Sequence, residues 1–251
     1  MRDSVDGALR RAVGMADMAA LLAAAFRFPE DGRLAGALAN GTFLADWEAS
    51  LSDACGVATD GDEELAKHCR ELFSEADCEA LRREYSFLFL TPGIDVPVWL
   101  YESCFLHRAS GASGVPNLLR TRCALDVERQ MAEAGVASAS ARTEPVDSVF
   151  LEFEFLAFLH ARQGEALRRR EGPADAGGDA SDDADPALWT QRLALFAREH
   201  ALAWLPQFMD EVEERDRLGA YRAFALLGAR YLGELEADAR MLEVGEERED
   251  A

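Results

Sequence analysis

The sequence predicts an all-α fold: a single compact helical domain of about ten helices that spans residues 1–251 and includes one long acidic loop. Apolar residues recur at helical spacing along most of the chain, and no segment demands a β-sheet. The residues are 49% hydrophobic and the mean hydropathy is −0.15, which fits a soluble globular protein with a substantial core.

The N-terminal region predicts a long helix followed by several shorter ones. The long helix ends near Phe28-Pro29, and its stripe of small and apolar side chains is made by Leu9, Val13, Ala16, Ala20 and Ala24. Further helices are predicted at 34–39, 43–55, 63–72 and 76–90. The last of these carries Tyr85 and Phe89 along one apolar stripe.

Two prolines and a glycine interrupt this pattern, so residues 91–98 predict an irregular loop. Helices are then predicted at 98–109, 117–134 and 145–170. In the last of these, Phe153 and Phe155 alternate as they would in a strand, but the uninterrupted length of the segment favours a helix.

The C-terminal region predicts two acidic segments of low complexity and two more helices. Residues 171–186 predict a flexible acidic linker within the domain, because they offer little that can pack, and residues 245–251 predict a disordered acidic tail. Helices are predicted at 186–204, with a restart at Pro206 that continues to 215, and at 218–239.

Acidic residues outnumber basic ones by a wide margin. The chain has 47 Asp and Glu against 26 Lys and Arg, which gives a formal charge of −21 and a sequence pI near 4.5. This excess argues against binding to the phosphate backbone of nucleic acids and favours a basic partner. Part of it lies in the linker and the tail, where solvated acidic segments that aid solubility explain it equally well.

The sequence favours a cytoplasmic protein without membrane insertion. No stretch of 18 or more uncharged apolar residues occurs, and Asp17 interrupts the N-terminal apolar segment, which is interpreted as a core helix rather than a signal peptide. The five cysteines contain no C-x-x-C pair, so we expect free thiols rather than a disulfide framework or a zinc ribbon.

The common signatures of catalysis and metal binding are missing from the sequence. None of the four histidines follows a glutamate by three residues, as helical di-metal carboxylate sites require, and no H-E-x-x-H motif is present. Glu64 and His68 lie one helical turn apart but form an incomplete site. His160 is interpreted as a helix-end histidine rather than a ligand. Because nucleophile elbows and phosphate-binding glycine loops are also missing, we expect no enzyme activity, no cofactor and no metal site.

The segment EPVDSVFLEFEF, which begins at Glu144, places two carboxylates just before a run of large apolar side chains. Pro145 suits the first turn of a helix, where no amide donor is needed. With Glu144 as the cap, Asp147 falls at the third helical position, where its carboxylate can accept from an unpaired backbone amide. The residues alone leave open whether Asp147 is only a cap or also binds a ligand.

Three motifs, in this order along the chain, resemble those of the redox-enzyme maturation chaperones of the TorD, DmsD and NarJ type. The first is YSFLFLTPG followed by VWLYESCF, the second is E-P-x-D at the start of a long helix, and the third is E-H-x-x-x-W-L-P-x-F. The residues that begin or carry these motifs are Tyr85, Val98, Glu144, Pro145, Asp147, Glu199, His200, Trp204, Leu205, Pro206 and Phe208. The sequence departs from the family pattern at Ser148, where histidine is usual, and at Thr91, where glycine often precedes the proline.

The resemblance implies an all-α chaperone that holds a molybdopterin-containing oxidoreductase until its cofactor is inserted. Many members bind the twin-arginine signal peptide of the client, which needs carboxylates beside an aromatic and aliphatic groove. The residues expected to bind this peptide are Asp147, Glu144, Pro145, Ser148, Trp99, Tyr101, Glu102, Tyr85, Phe89, Pro92, Pro97 and Leu100.

Several of these assignments have a structural alternative. Tyr85 and Phe89 are also explained as core residues, and the third motif, with Glu199, His200, Trp204 and Pro206, is assigned mainly to structure. The alternative function is a generic all-α interaction module that binds a basic partner without recognising a leader. Both a monomer and a domain-swapped dimer fit the sequence.

Overall fold

The computed structural model describes residues 2–91, 96–114, 116, 121–137, 144–171 and 185–249. Within these ranges the chain is helical, and the β-type pairing is limited to an isolated antiparallel bridge between Tyr101 and Ser148. The predicted all-α fold is therefore confirmed. Pro92 and residues 172–184 of the predicted linker lie outside the described residues.

The helices occupy most of the predicted positions. They are α1 (Arg2–Phe26), α2 (Arg33–Ala39), α3 (Thr42–Cys55), α4 (Asp60–Leu72), α5 (Cys78–Phe89), α6 (Glu102–Ala109), α7 (Arg122–Glu133), α8 (Val149–Glu171), α9 (Pro186–Phe196), α10 (Leu202–Arg215) and α11 (Ala220–Glu249). A π-helical segment, Ala197–Ala201, joins α9 and α10 into one continuous helix. Among the described residues, no helix is both long enough and apolar enough to cross a bilayer.

Helix α1 lies at the centre of the core. It packs along α8 and against α3, and it also contacts α11. Phe26, near its end, is fully buried, and its ring centroid lies 6.3 Å from Phe153, 5.4 Å from Phe208 and 6.4 Å from Phe224. Because these rings come from α8, α10 and α11, one aromatic cluster joins four helices.

Helices α6 and α8 begin later than the sequence predicts. Helix α6 starts at Glu102 rather than at 98, and α8 starts at Val149 rather than at 145. The bridge explains both differences, because the Glu102 amide donates to the Asp147 carbonyl and the Val149 amide donates to the Leu100 carbonyl, each at 2.9 Å. The residues just before both helices are therefore extended and paired with each other.

The predicted break at Pro206 is wrong, since α10 runs through this residue. The irregular stretch lies about one turn earlier, in the π segment, where the Leu202 amide donates to the carbonyl of Ala197 five residues back. Proline has no amide hydrogen and crowds the carbonyl four residues before it, so a locally widened helix upstream helps to accommodate it. His200 lies in this widened turn.

Two further expectations differ from the structure. Helix α11 continues to Glu249, so the backbone of 245–249 is helical where the sequence predicts a disordered tail, while residues 250–251 lie outside the described residues. His160, interpreted from the sequence as a helix-end residue, lies within α8 and is buried.

Helices α1 and α3 approach each other closely at Gly14. A Cβ atom added to Gly14 would lie 2.3 Å from the carbonyl oxygen of Ser50 and 2.5 Å from the amide nitrogen of Ala54. Both are backbone atoms of α3, so no side-chain rotation relieves the overlap. Close packing of two helix backbones therefore requires glycine at this position.

We expect Gly14→Ala to lower the free energy of unfolding by about 2 kcal/mol or more, because α1 and α3 must separate to admit the methyl group. Gly7→Ala on the same helix is the matched control, since nothing lies within 4 Å of its added Cβ. It should be neutral or stabilise by up to about 1 kcal/mol through helix propensity. Urea unfolding of both variants measures the difference, and equal effects would contradict the close approach.

Candidate functional site

The three sequence motifs meet in one buried polar cluster, which we call the motif junction. It consists of Glu102, Cys123, Asp126, Asp147, Glu152, His200 and Trp204. These residues lie at the beginnings of α6, α7 and α8, in the π segment and in α10. Glu102, Asp147, Glu152 and His200 are all buried, which is unusual for so many ionisable groups.

Asp147 caps α6 rather than its own helix. Its Oδ2 accepts a hydrogen bond from the backbone amide of Ser103 at 3.1 Å, and Tyr101, at the N-cap position of α6, makes no side-chain cap bond. The predicted place of Asp147 in the first turn of the motif helix is wrong, because α8 begins only at Val149. Burial raises the pKa of the Asp147 carboxyl, and the hydrogen bonds from Ser103 oppose this shift.

His200 lies between two carboxylates. Its Nδ1 is 2.8 Å from Glu102 Oε2, and its Nε2 is 3.0 Å from Asp126 Oδ2. Burial alone would lower the pKa of His200, but the two carboxylates outweigh it and raise the pKa above its ordinary value. Asp126 is itself fixed by Gln130, whose Nε2 donates to the same Oδ2 at 3.0 Å.

Glu152 is the most enclosed carboxyl group of the junction, with no exposed surface. Its Oε2 accepts a hydrogen bond from the indole Nε1 of Trp204 at 2.9 Å. Among the described residues, its Oε1 has no hydrogen-bond donor. Burial, followed by the nearby charge of Glu102, raises the pKa of Glu152 well above its ordinary value and favours the protonated form.

The thiol of Cys123 completes the junction from α7. Its Sγ donates to Glu102 Oε2 at 2.8 Å, so this oxygen contacts both Cys123 and His200. Burial and the charges of Glu102, Asp147 and Glu152 raise the pKa of the thiol. Cys123 is partly exposed, and the junction therefore reaches the surface beside α7.

A surface groove of about 590 Å³ lies between α1, α2 and α8. Its apolar lining includes Ala20, Leu21, Ala24, Phe28, Leu34, Ala37 and Ala157, and its charged residues are Arg27, Glu30, Asp31, Arg33 and Glu154. Arg27 pairs with Glu154, and its guanidinium lies 4.8 Å from the ring centroid of Phe150.

The groove and the E-P-x-D motif both lie close to Tyr85. The ring of Tyr85 packs edge-on against Phe28 of the groove at 5.3 Å. After burial, the charges of Glu144 and Arg27 are among the influences on the pKa of the Tyr85 hydroxyl, so both side chains lie near it. The hydroxyl of Tyr101 donates to Glu144 Oε2 at 3.5 Å, on the partly exposed side of the motif.

A family model described as nitrate reductase delta subunit matches residues 56–210, which is more than half of the chain. The protein belongs to this family. The nitrate reductase delta family is a family of molybdoenzyme maturation chaperones. All three motifs lie within the matched residues, whereas α1, α2, α3 and α11 lie outside them. A search of curated protein sequences gives no significant match to this chain.

In this member of the nitrate reductase delta family, most residues predicted to bind a peptide lie in the interior. Those buried are Tyr85, Phe89, Trp99, Leu100, Glu102, Asp147 and Ser148. Pro97, Tyr101, Glu144 and Pro145 are partly exposed. A peptide bound to the surface can therefore touch only the second group directly, and the buried residues support it from below.

The third motif is divided between the interior and the surface. His200 and Trp204 are buried and make the junction contacts, whereas Glu199 and Pro206 are exposed. Glu199 nevertheless extends the network, because its Oε2 accepts a hydrogen bond from Gln130 at 2.8 Å. The structural assignment of this motif remains a prediction, which these contacts support.

Sequence reasoning missed Cys123, Asp126 and Glu152. Glu152 had a usable signal, because it lies four residues after Ser148 and four before Leu156 on the apolar face of α8, whereas Glu154 faces solvent. Cys123 and Asp126 had no such signal, because their partners in the junction, Glu102 and His200, lie on other helical segments and no local spacing records these contacts.

We expect Asp147→Ala to lower the free energy of unfolding by about 1–2 kcal/mol, because the Ser103 amide loses its cap acceptor. Glu144→Ala, three residues earlier in the same motif and partly exposed, is the matched control and should stay within about 0.5 kcal/mol of the parent. Urea unfolding of both variants tests this. A stable Asp147→Ala protein would refute the capping role.

Proposed function

We propose that this protein is a cytoplasmic assembly chaperone that binds the twin-arginine leader of a molybdopterin oxidoreductase and holds the client until its cofactor is inserted. Family membership supports the chaperone role. The observation that carries the leader assignment is the apolar groove together with the partly exposed carboxylate of Glu144, both of which lie near Tyr85. The five cysteines, all within the described residues, form no disulfide, which is compatible with a reducing compartment.

The groove has the chemistry that a leader peptide requires. Its apolar lining, from α1, α2 and α8, offers a surface for an aliphatic run, and a volume of about 590 Å³ accommodates several side chains. Phe28 is 37% exposed there, which is high for an aromatic residue unless it serves a contact.

The charge around the groove favours arginine. Glu144 lies near the groove, Glu30 lies at its rim, and the whole chain carries a formal charge of −21. Arg27 and Arg33 also line the groove, but they pair with Glu154 and Asp31 and so add no net positive charge there. Arginine forms bidentate hydrogen bonds with carboxylates, so paired arginines are better suited to this rim than lysines. In this proposal the apolar run of the leader occupies the groove and its arginines face Glu144.

The motif junction has a supporting role in this proposal. The Tyr101–Ser148 bridge and the Asp147 cap fix the backbone on both sides of Glu144 and Tyr101. A carboxylate held in place loses less freedom on binding than a mobile one, which favours recognition. The buried motif residues thus act on the leader through the position of their exposed neighbours.

We expect a twin-arginine leader peptide to bind with a dissociation constant of about 1 μM, or roughly −8 kcal/mol, because a disordered peptide loses entropy when it is ordered. Calorimetric titration of the full chain at low salt measures this. The same peptide with both arginines changed to alanine should bind much more weakly, and high salt should weaken the parent peptide. Equal affinity at low and high ionic strength would contradict the electrostatic part.

Two variants test separately how the groove and the charge of Glu144 contribute to peptide binding. Ala24→Gln places a longer polar side chain in the groove and should weaken peptide binding by about tenfold or more, while Glu144→Gln should reduce the preference for arginine over alanine peptides. Ala229→Gln, an exposed alanine on α11 outside the groove, is the matched control for Ala24→Gln.

The outcomes distinguish this proposal from its alternative. If both leader peptides bind equally well and Ala24→Gln does not change their affinity, the result would favour a generic module for basic partners. No binding to either peptide would overturn leader recognition and would direct the search to the folded body of the client.

A further inference from the structure

Glu102, Cys123 and His200 of the motif junction direct an oxygen, a sulfur and a nitrogen toward one point. These three ligand atoms all lie within 4.8 Å of one another. We propose that they bind one zinc ion, or a similar first-row divalent metal, with Glu152 as the fourth ligand. Such a metal would join α6, α7, α8 and the π segment, and the proposal does not depend on leader binding.

The surroundings of His200 support a cation at this point. A neutral imidazole has one N–H group and one lone pair. If Nε2 donates to Asp126, which is 3.0 Å away, the lone pair of Nδ1 faces the carboxylate of Glu102 at 2.8 Å. Two lone pairs repel each other at that distance unless a proton or a metal ion lies between them. A histidine whose second nitrogen is held by a carboxylate is also the usual arrangement at zinc sites.

Glu152 provides an independent indication. It is fully buried, its Oε2 is held by Trp204, and its Oε1 has no donor among the described residues. Its carboxyl group lies near that of Glu102 but outside the set of three converging ligand atoms, so the side chain must turn to reach the metal. Either a proton or a metal ion can offset the repulsion between the two carboxyl groups, and a metal ion bound to both would also satisfy Oε1.

The donor set identifies the class of metal. Thiolate, imidazole and carboxylate together suit zinc, whereas magnesium and calcium prefer oxygen ligands alone. Tetrahedral zinc places such donor atoms roughly 3.3 to 3.6 Å apart. Since Glu102 Oε2 now lies 2.8 Å from both Cys123 Sγ and His200 Nδ1, small side-chain rotations open the required space.

The site also has the supporting contacts and the access that a metal site needs. Asp126 orients His200, and Gln130 and Trp204 orient the carboxylates of Asp126 and Glu152. Cys123 is partly exposed, so a metal ion can enter from the side of α7 and displace the thiol proton.

The test is a titration of the full-length protein with Co²⁺ after treatment with a chelator. We expect a sulfur-to-cobalt charge-transfer band that saturates at one cobalt per chain and disappears when Zn²⁺ is added. Zinc should also raise the midpoint of thermal unfolding, because it binds only the folded arrangement. This measurement uses the parent protein and does not depend on the folding of any variant.

Variants then assign the ligands. Cys123→Ser should abolish the charge-transfer band, and Glu152→Gln, which keeps an oxygen for the Trp204 indole, should weaken zinc binding by about tenfold or more. Cys78→Ser on α5 is the matched control, because it removes another partly exposed thiol away from the junction and should leave the band unchanged.

Two results would overturn the proposal. A parent protein without the band would show that protons alone hold the junction together. A band that persists in Cys123→Ser would show that cobalt binds to another thiol.

Discussion

The antiparallel bridge between Tyr101 and Ser148 is the constraint on which the rest of the interior depends. Its two backbone hydrogen bonds place the starts of α6 and α8 side by side. Asp147 thereby reaches the first turn of α6. Glu102 from α6 and Glu152 from α8 then lie near each other in the interior. The π segment then brings His200 to Glu102. The single pair Tyr101–Ser148 therefore sets the position of the whole polar cluster.

Helix ends explain how so many carboxylates remain buried. Glu102 and Asp147 lie at the N-terminus of α6, Glu152 lies in the first turn of α8, and Cys123 and Asp126 lie near the start of α7. The N-terminus of a helix carries partial positive charge, so three converging helix starts offset part of the cost of burying negative charge. Hydrogen bonds from the Ser103 amide and the Trp204 indole offset more of it. The polar junction therefore follows from the way the helices begin.

The sequence predicts those features that local chemistry decides and misses those that depend on contacts between helices. Apolar periodicity placed nearly all the helices, and Pro186 marked the start of α9 correctly. The EPVD segment misled because its residues satisfy a helix cap locally. The extended pairing that delays α8 is set by residues 45 to 49 positions away in the first motif, a separation that no local pattern records. The sequence singled out Glu102, Asp147 and His200, but it did not predict that all three are buried.

The motif junction and the groove come from different parts of the chain. Every residue of the motif junction lies inside the segment 56–210 that matches the nitrate reductase delta family, whereas most of the groove comes from α1, α2 and the turn between them, which precede that segment. Under the proposed function, the shared segment builds the scaffold and positions Glu144, and the N-terminal helices supply the apolar surface that meets the client. Changes on the exposed face of α1 or α2 would then alter client choice without disturbing the junction, because none of the seven junction residues lines the groove.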